Sequence, residues 1–315
     1  MRMLLAWMVA AIVTALLSAA LRRSLRDTGG RGGPWRSGLA RLRADRASML
    51  ALYTLVALVV VAALANRLAP YDPSHPIGNY IELQSRPPSR LFPFGTDQSS
   101  RDIFSRVLFG ARISLGIAVL AMLLSLTVGT AYGALAGYAG GIVDAVMARA
   151  LDAALATPRI LILLAALSVW GQVSVGRLIV LLGLTGWFDV SRMVRAQVLA
   201  LRDDDVAIAA RALGASAVRT VTRHVLPRVL SPVLASAALN IASLIALEAG
   251  LSYLGIGTTE GTSWGSIIYD GSDAFAERWW ISLFPGLAIA TAVVAFNVLG
   301  DGLRDALDPR QLFSR

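Results

Sequence analysis

Neither cysteine nor lysine occurs among the 315 residues. Without cysteine there can be no disulfide framework, thiolate zinc site, iron–sulfur cluster or cysteine nucleophile. The two histidines, His75 and His224, stand far apart and isolated, and each reads as a surface or interfacial polar residue rather than part of a metal motif. A Gly-rich phosphate loop closing on Lys-Ser or Lys-Thr is also missing. The net charge of +9 therefore rests wholly on arginine. Those arginines gather beside apolar segments, the arrangement that sets membrane orientation, so they do not point to a nucleic-acid partner.

What is abundant is apolar surface. Hydrophobic residues make up 56% of the chain and charged residues 16%, far from the usage of a soluble domain. Stretches long enough to cross roughly 30 Å of hydrocarbon recur, separated by short Gly-rich or Arg-rich breaks. They are continuously apolar, without the alternation of a membrane β-barrel. The fold class is all-α: a polytopic transmembrane bundle in membrane lipid, with six core spans.

The first core span covers 48–69, following a stretch from Arg22 to Arg46 with eight arginines and two aspartates, which the positive-inside rule makes cytoplasmic. An external loop covers 70–108. The core of five further helices, 109–303, begins with a span near Arg112 that ends at Ala139-Gly140-Gly141. A helical stretch over 142–157 follows, and Pro158 opens an apolar run to Trp170. A fourth span covers about 178–201, a fifth 229–254 and a sixth 281–299, leaving a cytoplasmic tail at 304–315. Between the fourth and fifth spans, Arg192 to Arg228 holds seven arginines and three aspartates and is cytoplasmic. The loop to Arg278, with Glu260, Asp270, Asp273 and Glu277, is external, and Trp170, Trp264, Trp279 and Trp280 fall at the expected outer interface. Within 1–47, residues 3–21 are apolar over about the minimum spanning length, which leaves a seventh span or a leader open.

The most informative stretch is the cytoplasmic 203–228, DDDVAIAARALGASAVRTVTRHVLP and Arg228. Val206, Ala209, Ala210 and Leu213 follow helical spacing and form an apolar stripe. Aspartates at the start, Asp205 among them, suit the helix dipole, and Gly214 stands where a left-handed C-cap is expected. So short a helix cannot bury its stripe within itself, and it must lie on the membrane or dock into a partner's groove.

Elsewhere, Glu248 in the fifth span and Asp189 in the fourth are ionisable groups in or near hydrocarbon, each either lining a path or bonding a neighbouring helix. Asn297 and Asp301 suit the anchoring of a helix end. Gly116, Gly129, Gly133, Gly137 and Ala136 permit close helix contact, and Pro158, Pro227 and Pro285 suit helix starts.

The run from Ile208-Ala209-Ala210 through Arg211 and Gly214 to Leu226-Pro227 resembles the docking loop of type I ATP-binding cassette importer permeases. Ile208 stands at that family's glutamate and His224 at its hydrophobic position. The resemblance extends through Phe94-Gly95-Thr96-Asp97, Arg101-Asp102 and Gly110 to Leu115, with Ser100 where a glycine is usual. Gly137-Tyr138, Asp144, Arg192, Arg195, Glu248 to Gly257, Ser263-Trp264-Gly265 and the stretch from Phe296 to Arg310 continue it. These residues are similar to the dipeptide, oligopeptide and nickel branch, and to the second permease of its pair. The resemblance implies a non-enzymatic subunit of the bacterial inner membrane that forms half of a path for peptides. It implies a homologous second permease, two ATPase subunits or domains carrying ATP and Mg, and an extracytoplasmic substrate-binding protein. Other cargo in the same class would be nickel chelates, glutathione, haem or sugars. From other classes, an ion-coupled secondary transporter would need Glu248 or Asp189 at mid-membrane, and a membrane enzyme would need a reactive cluster that the loops do not supply.

Overall fold

The computed structural model describes residues 34–307 except Asn79, Gly171 and Gln172, with side chains from Gly38 onward. The apolar segment 3–21 and the end of the tail lie outside the described residues. Helix α1 (Pro34–Ala44) begins with a proline, whose missing N–H costs nothing in a first turn. It is followed at once by α2 (Arg46–Ala63), capped by Asp45, which accepts from Ala47 N and Ser48 N at 3.2 and 3.0 Å. At about 27 Å, α2 is just long enough to cross the hydrocarbon. The expected span 48–69 is broken at Leu64, beyond which a single turn, α3 (Ala65–Leu68), continues.

The external loop contains one short helix, α4 (Tyr80–Leu83), and is stitched by Thr96, which donates to Leu83 O at 2.5 Å and accepts from Arg86 N at 2.8 Å. Asp102 then caps α5 (Ile103–Ala139), accepting from Ser105 N at 2.8 Å. The helix starts nine residues before Arg112, where apolarity alone places the span, because the Asp102 cap rather than the first long apolar run sets its beginning. At about 56 Å, α5 outreaches the hydrocarbon. Arg112 therefore lies beside the end of α2, where its guanidinium donates to Ala62 O and Ala63 O at 3.1 and 3.3 Å, a cation on the negative end of a helix.

Helices α6 (Gly141–Leu155) and α7 (Arg159–Trp170) meet at a 74° bend, and only taken together are they long and apolar enough to count as one crossing. Helix α8 (Val175–Leu201) runs parallel to α5 along its glycines. A Cβ on Gly129 would lie 2.7 Å from Val190 Cβ, and one on Gly133 2.5 Å from Ser191 O. Gly137 meets Arg195 and Val198 in the same way, so these glycines let two backbones approach closely. Gly116 faces open space and has no such role.

The cytoplasmic loop folds as α9 (Asp205–Ala212), α10 (Ala217–Thr220) and a π-helical turn at Val221–Val225, which feeds α11 (Leu226–Tyr253). On the side expected to be external, a capping box of Ser263 and Ser266 starts α12 (Trp264–Asp270), and α13 (Trp280–Leu307) makes the last crossing. Pro158 and Pro227 stand at helix starts as expected, whereas Pro285 lies inside α13, one turn after its beginning. Two tryptophans also depart from the interfacial reading. Trp264 and Trp280 are buried in protein, where their indole N–H groups donate to Val107 O at 3.0 Å and Thr96 O at 3.1 Å. Trp170 and Trp279 keep about half their surface exposed.

Among the described residues, four helices are long and apolar enough to cross a membrane: α2, α5, the run from α10 through α11, and α13. The bent α6–α7 pair makes a fifth. The fourth expected span, α8, has the length at 27 residues but falls short in apolarity, since Arg177, Asp189, Arg192 and Arg195 lie along it.

Candidate functional site

The cytoplasmic helix α9 is held at both ends by its own chain. Asp203 pairs with Arg202 and Arg211 at 3.0 and 3.6 Å. Asp204 occupies the N-cap position, but its carboxylate goes to Arg228 at the start of α11 and makes no cap bond, a departure from the capping role read for the aspartates. The Arg228 hydrogen bond holds Asp204 below the usual carboxylate range. At the other end, Gly214 adopts φ +83°, and the bonds Gly214 N to Arg211 O (2.9 Å) and Ala215 N to Ala210 O (3.0 Å) form a Schellman closure. The expected left-handed C-cap is present.

The side that α9 turns inward is narrow. Ala207 is 2% exposed and Ala210 half-buried, while Asp205, Val206, Ile208, Ala209, Arg211, Leu213 and Gly214 face out. Leu213 keeps 89% of its surface. The stripe read from spacing is thus mostly presented to the outside, and Ala207, which the spacing argument passed over, anchors the helix to its own fold. This object can do one thing: offer three large apolar side chains, Val206, Ile208 and Leu213, on a rigid short helix between two membrane crossings.

At the external end lies a buried polar node. Glu248 is wholly inaccessible; its Oε2 accepts from Ser114 Oγ of α5 at 3.0 Å and its Oε1 from Ser252 Oγ at 2.8 Å. Ser114 Oγ in turn accepts from the backbone N–H of Trp264 at 3.1 Å, and Ser263 Oγ lies 3.3 Å from Ser252 Oγ. Glu248 thus bonds to a neighbouring helix, one of the two readings open for it. Asp189 is more than half exposed and lies 3.6 Å from Arg192. Asn297 is half-buried near the end of α13. The structure does not bring these three residues together.

A second external cluster went unseen in the sequence. Asp97 Oδ2 accepts from Arg101 Nε at 2.7 Å and Arg106 Nη1 at 2.5 Å, and Asp270 Oδ2 accepts from the other arms of the same arginines at 2.9 and 2.8 Å. Two charges of each sign thus clamp the C-terminal end of α12 to the start of α5. Asp97 also accepts from Ser99 N and Arg101 N, and it is fully buried. The Phe94-to-Arg101 motif signalled half of this arrangement, but its partner lies 164 residues away from Arg106. On the cytoplasmic side, Arg195 of α8 grips Asp144 of α6 through Nε (2.5 Å) and Nη2 (2.9 Å). That bidentate pair gives two family-like residues a packing role.

Residues 129–312 match the family described as binding-protein-dependent transport system inner membrane component, and residues 33–88 match the N-terminal transmembrane domain of oligopeptide transport permease C. The chain is 35% identical over 272 residues to the dipeptide transport system permease protein DppC of Bacillus subtilis, covering 86% of this chain and 84% of the relative. It is 36% identical over 277 residues to the oligopeptide transport system permease protein OppC of the same organism, covering 88% and 90%. A DppC of Alkalihalophilus pseudofirmus is 34% identical over 280 residues, again covering 88% and 90%.

Proposed function

The chain belongs to the family of inner membrane components of binding-protein-dependent transport systems, and from that premise we propose that it forms half of an ATP-driven import path for peptides. It is a multi-pass inner-membrane permease subunit. The relatives that match over most of the chain are dipeptide and oligopeptide permeases, which favours peptides over nickel chelates, glutathione or haem. The other half of the path is a homologous permease, and an extracytoplasmic protein delivers the cargo. ATP and Mg act on two separate ATPase subunits or domains.

The observation that carries this reading is α9. Its outward apolar residues are exposed among the described residues, it sits on the arginine-rich side, and it is fastened beside the end of α8 through Asp203–Arg202 and to the start of α11 through Asp204–Arg228. A groove on an ATPase that took Val206, Ile208 and Leu213 would transmit its closure directly into α8 and α11. The sealed surroundings of Glu248 weigh against an ion-coupled carrier, which would need that carboxylate to reach water.

The test is reconstitution. Tagged chain purified from membranes should bring with it a homologous permease and ATPase subunits. Vesicles holding that assembly should take up a labelled dipeptide only with ATP inside and the binding protein outside. Uptake by this chain alone, driven by a proton or sodium gradient, would refute the proposal.

A further inference from the structure

Arg159 takes no part in the docking helix or in either external cluster. It opens α7 at the 74° bend between α6 and α7. Its Nε donates to Thr185 Oγ1 at 3.1 Å and its Nη2 to Leu182 O at 2.7 Å, both on α8. Among the described residues it joins no ion pair; Asp189, one turn along α8 from Thr185, lies instead near Arg192. Among the described residues, its remaining terminal nitrogen, Nη1, has no acceptor. Thr157, Pro158 and Ile160 beside it are exposed, so the start of α7 faces away from its own fold.

Depth makes this unusual. The far end of α7 lies at the external side, because Thr259 N–H donates to Val173 O and Val175 N–H to Glu260 Oε2, each at 3.1 Å. Counting inward from Trp170 to Arg159 at the helical rise gives about 17 Å, and from Val175 to Thr185 about 15 Å. Half the hydrocarbon thickness is about 15 Å. Two independent helices therefore put the guanidinium near the middle of the bilayer. An arginine there is too costly to leave among acyl chains and is kept where it meets a water-filled path and a counter-charge. Among the described residues it has the orienting acceptors but no carboxylate in ion-pair contact; Asp189 acts on it only through space.

We infer that Arg159 is a specificity-determining residue of the import path, and that its free Nη1 receives the C-terminal carboxylate of a peptide in transit. The inference rests on the peptide reading above. Leu182 O and Thr185 Oγ1 fix the guanidinium plane, so the side chain is already ordered when the anion arrives. The break in the helix directs the positive end of the α7 dipole at the same place. A carboxylate from the second permease would satisfy the same chemistry, and the experiment separates the two sources.

The full assembly, with permease pair, ATPases and binding protein, is reconstituted in vesicles, and uptake of a labelled dipeptide is compared with that of its C-terminal amide. Arg159→Gln should lower uptake of the free acid roughly tenfold or more, the scale of one lost charge-assisted hydrogen bond, and leave uptake of the amide unchanged. Arg159→Lys should restore part of the loss. Arg159→Gln assembly is checked by co-purification. Equal losses for acid and amide would overturn the inference and assign Arg159 to a carboxylate of the second permease or to packing of α7 on α8. Unchanged uptake of both would overturn it outright. A wild-type assembly that imports neither form while importing another solute would sink the peptide reading, and this inference with it.

Discussion

Glu248 and Ser114, 134 positions apart in the chain, are joined by a 3.0 Å hydrogen bond from Ser114 Oγ to Glu248 Oε2 in a site that excludes solvent. The same serine oxygen accepts the backbone N–H that begins α12. A carboxylate on one crossing, a hydroxyl on another and the start of an external helix thus depend on one another.

Removing the carboxylate should therefore cost stability. Glu248→Ala leaves the hydroxyls of Ser114 and Ser252 without their acceptor, and a buried polar group so orphaned costs about 1–3 kcal/mol. The vacated space adds to that. Glu248→Gln keeps an acceptor oxygen and the shape and should lose less. Thermal unfolding of the detergent-solubilised assembly should rank wild type above Glu248→Gln and Glu248→Ala lowest. A Glu248→Ala protein as stable as wild type would show that the node does not hold the external end.

The external salt-bridge cluster should be unequal in its parts. Asp97 and Arg106 are almost inaccessible, whereas Asp270 keeps about a third of its side chain in solvent. Asp97→Ala strands buried guanidinium charge, a loss of about 3–5 kcal/mol for a buried pair broken on one side. Asp270→Ala should cost about 1 kcal/mol, because water reaches the released arginines. Limited proteolysis of the loop between α3 and α5 would read this out: rapid cleavage in Asp97→Ala and near-normal protection in Asp270→Ala. The reverse order would disprove the assignment of the clamp to Asp97.

How much of this was legible follows from what each signal encodes. The crossings could be read because continuous apolarity responds to lipid whatever the neighbours are. The C-cap at Gly214 could be read because only a residue without Cβ takes φ +83° at no cost. The burial of Trp264 and Trp280 could not, since an indole at the membrane surface and one packed in protein leave the same mark in a sequence. The Asp97–Asp270 cluster joins segments that are distant in the chain, and charge composition carries no pairing. Helical spacing found the outward residues of α9 but missed Ala207, because an alanine turned toward its own fold reads like any other.

Ser100 is the family departure with a backbone consequence. It adopts φ +56° at the position where the resemblance leads one to expect glycine, and its Oγ donates to Tyr80 O at 2.6 Å. The left-handed conformation costs about 1–2 kcal/mol for a residue with a Cβ, and the hydrogen bond returns about 1 kcal/mol. Ser100→Gly should accordingly stay within about 1 kcal/mol of wild type, trading both terms at once. Ser100→Ala keeps the strain and loses the bond, and Ser100→Val adds β-branching where there is no room. Unfolding midpoints should fall in the order Ser and Gly together, then Ala, then Val. A Val variant equal to wild type would contradict the backbone geometry.

The docking helix gives the sharpest separation between folding and coupling, because its two sides face different things. Ala207 touches its own fold, so Ala207→Glu should disturb the loop itself and lower stability, as expected when an unpaired charge is forced into a packed site. The side chains of Ala209 and Leu213 are exposed among the described residues, and Ala209→Glu or Leu213→Glu should leave membrane insertion and unfolding midpoints within about 0.5 kcal/mol of wild type. Those two variants should nevertheless lose the ATPase subunits on purification, or hydrolyse ATP without import. Ala210 is half-buried and lies between these cases; Ala210→Glu should show a share of each defect. Gly214→Val should act through the helix end, since its φ of +83° strains any β-branched residue. Ile208→Glu restores the family's residue on an exposed position, so it tests the partner more than this chain. Wild-type import would place Ile208 at the rim of the contact, and lost import would mean that the partner meets it with an apolar surface. If Ala209→Glu and Leu213→Glu both retain their ATPases and full uptake, the exposed face of α9 is not the coupling surface and the mechanical link from ATP to the membrane must lie elsewhere in the cytoplasmic loop.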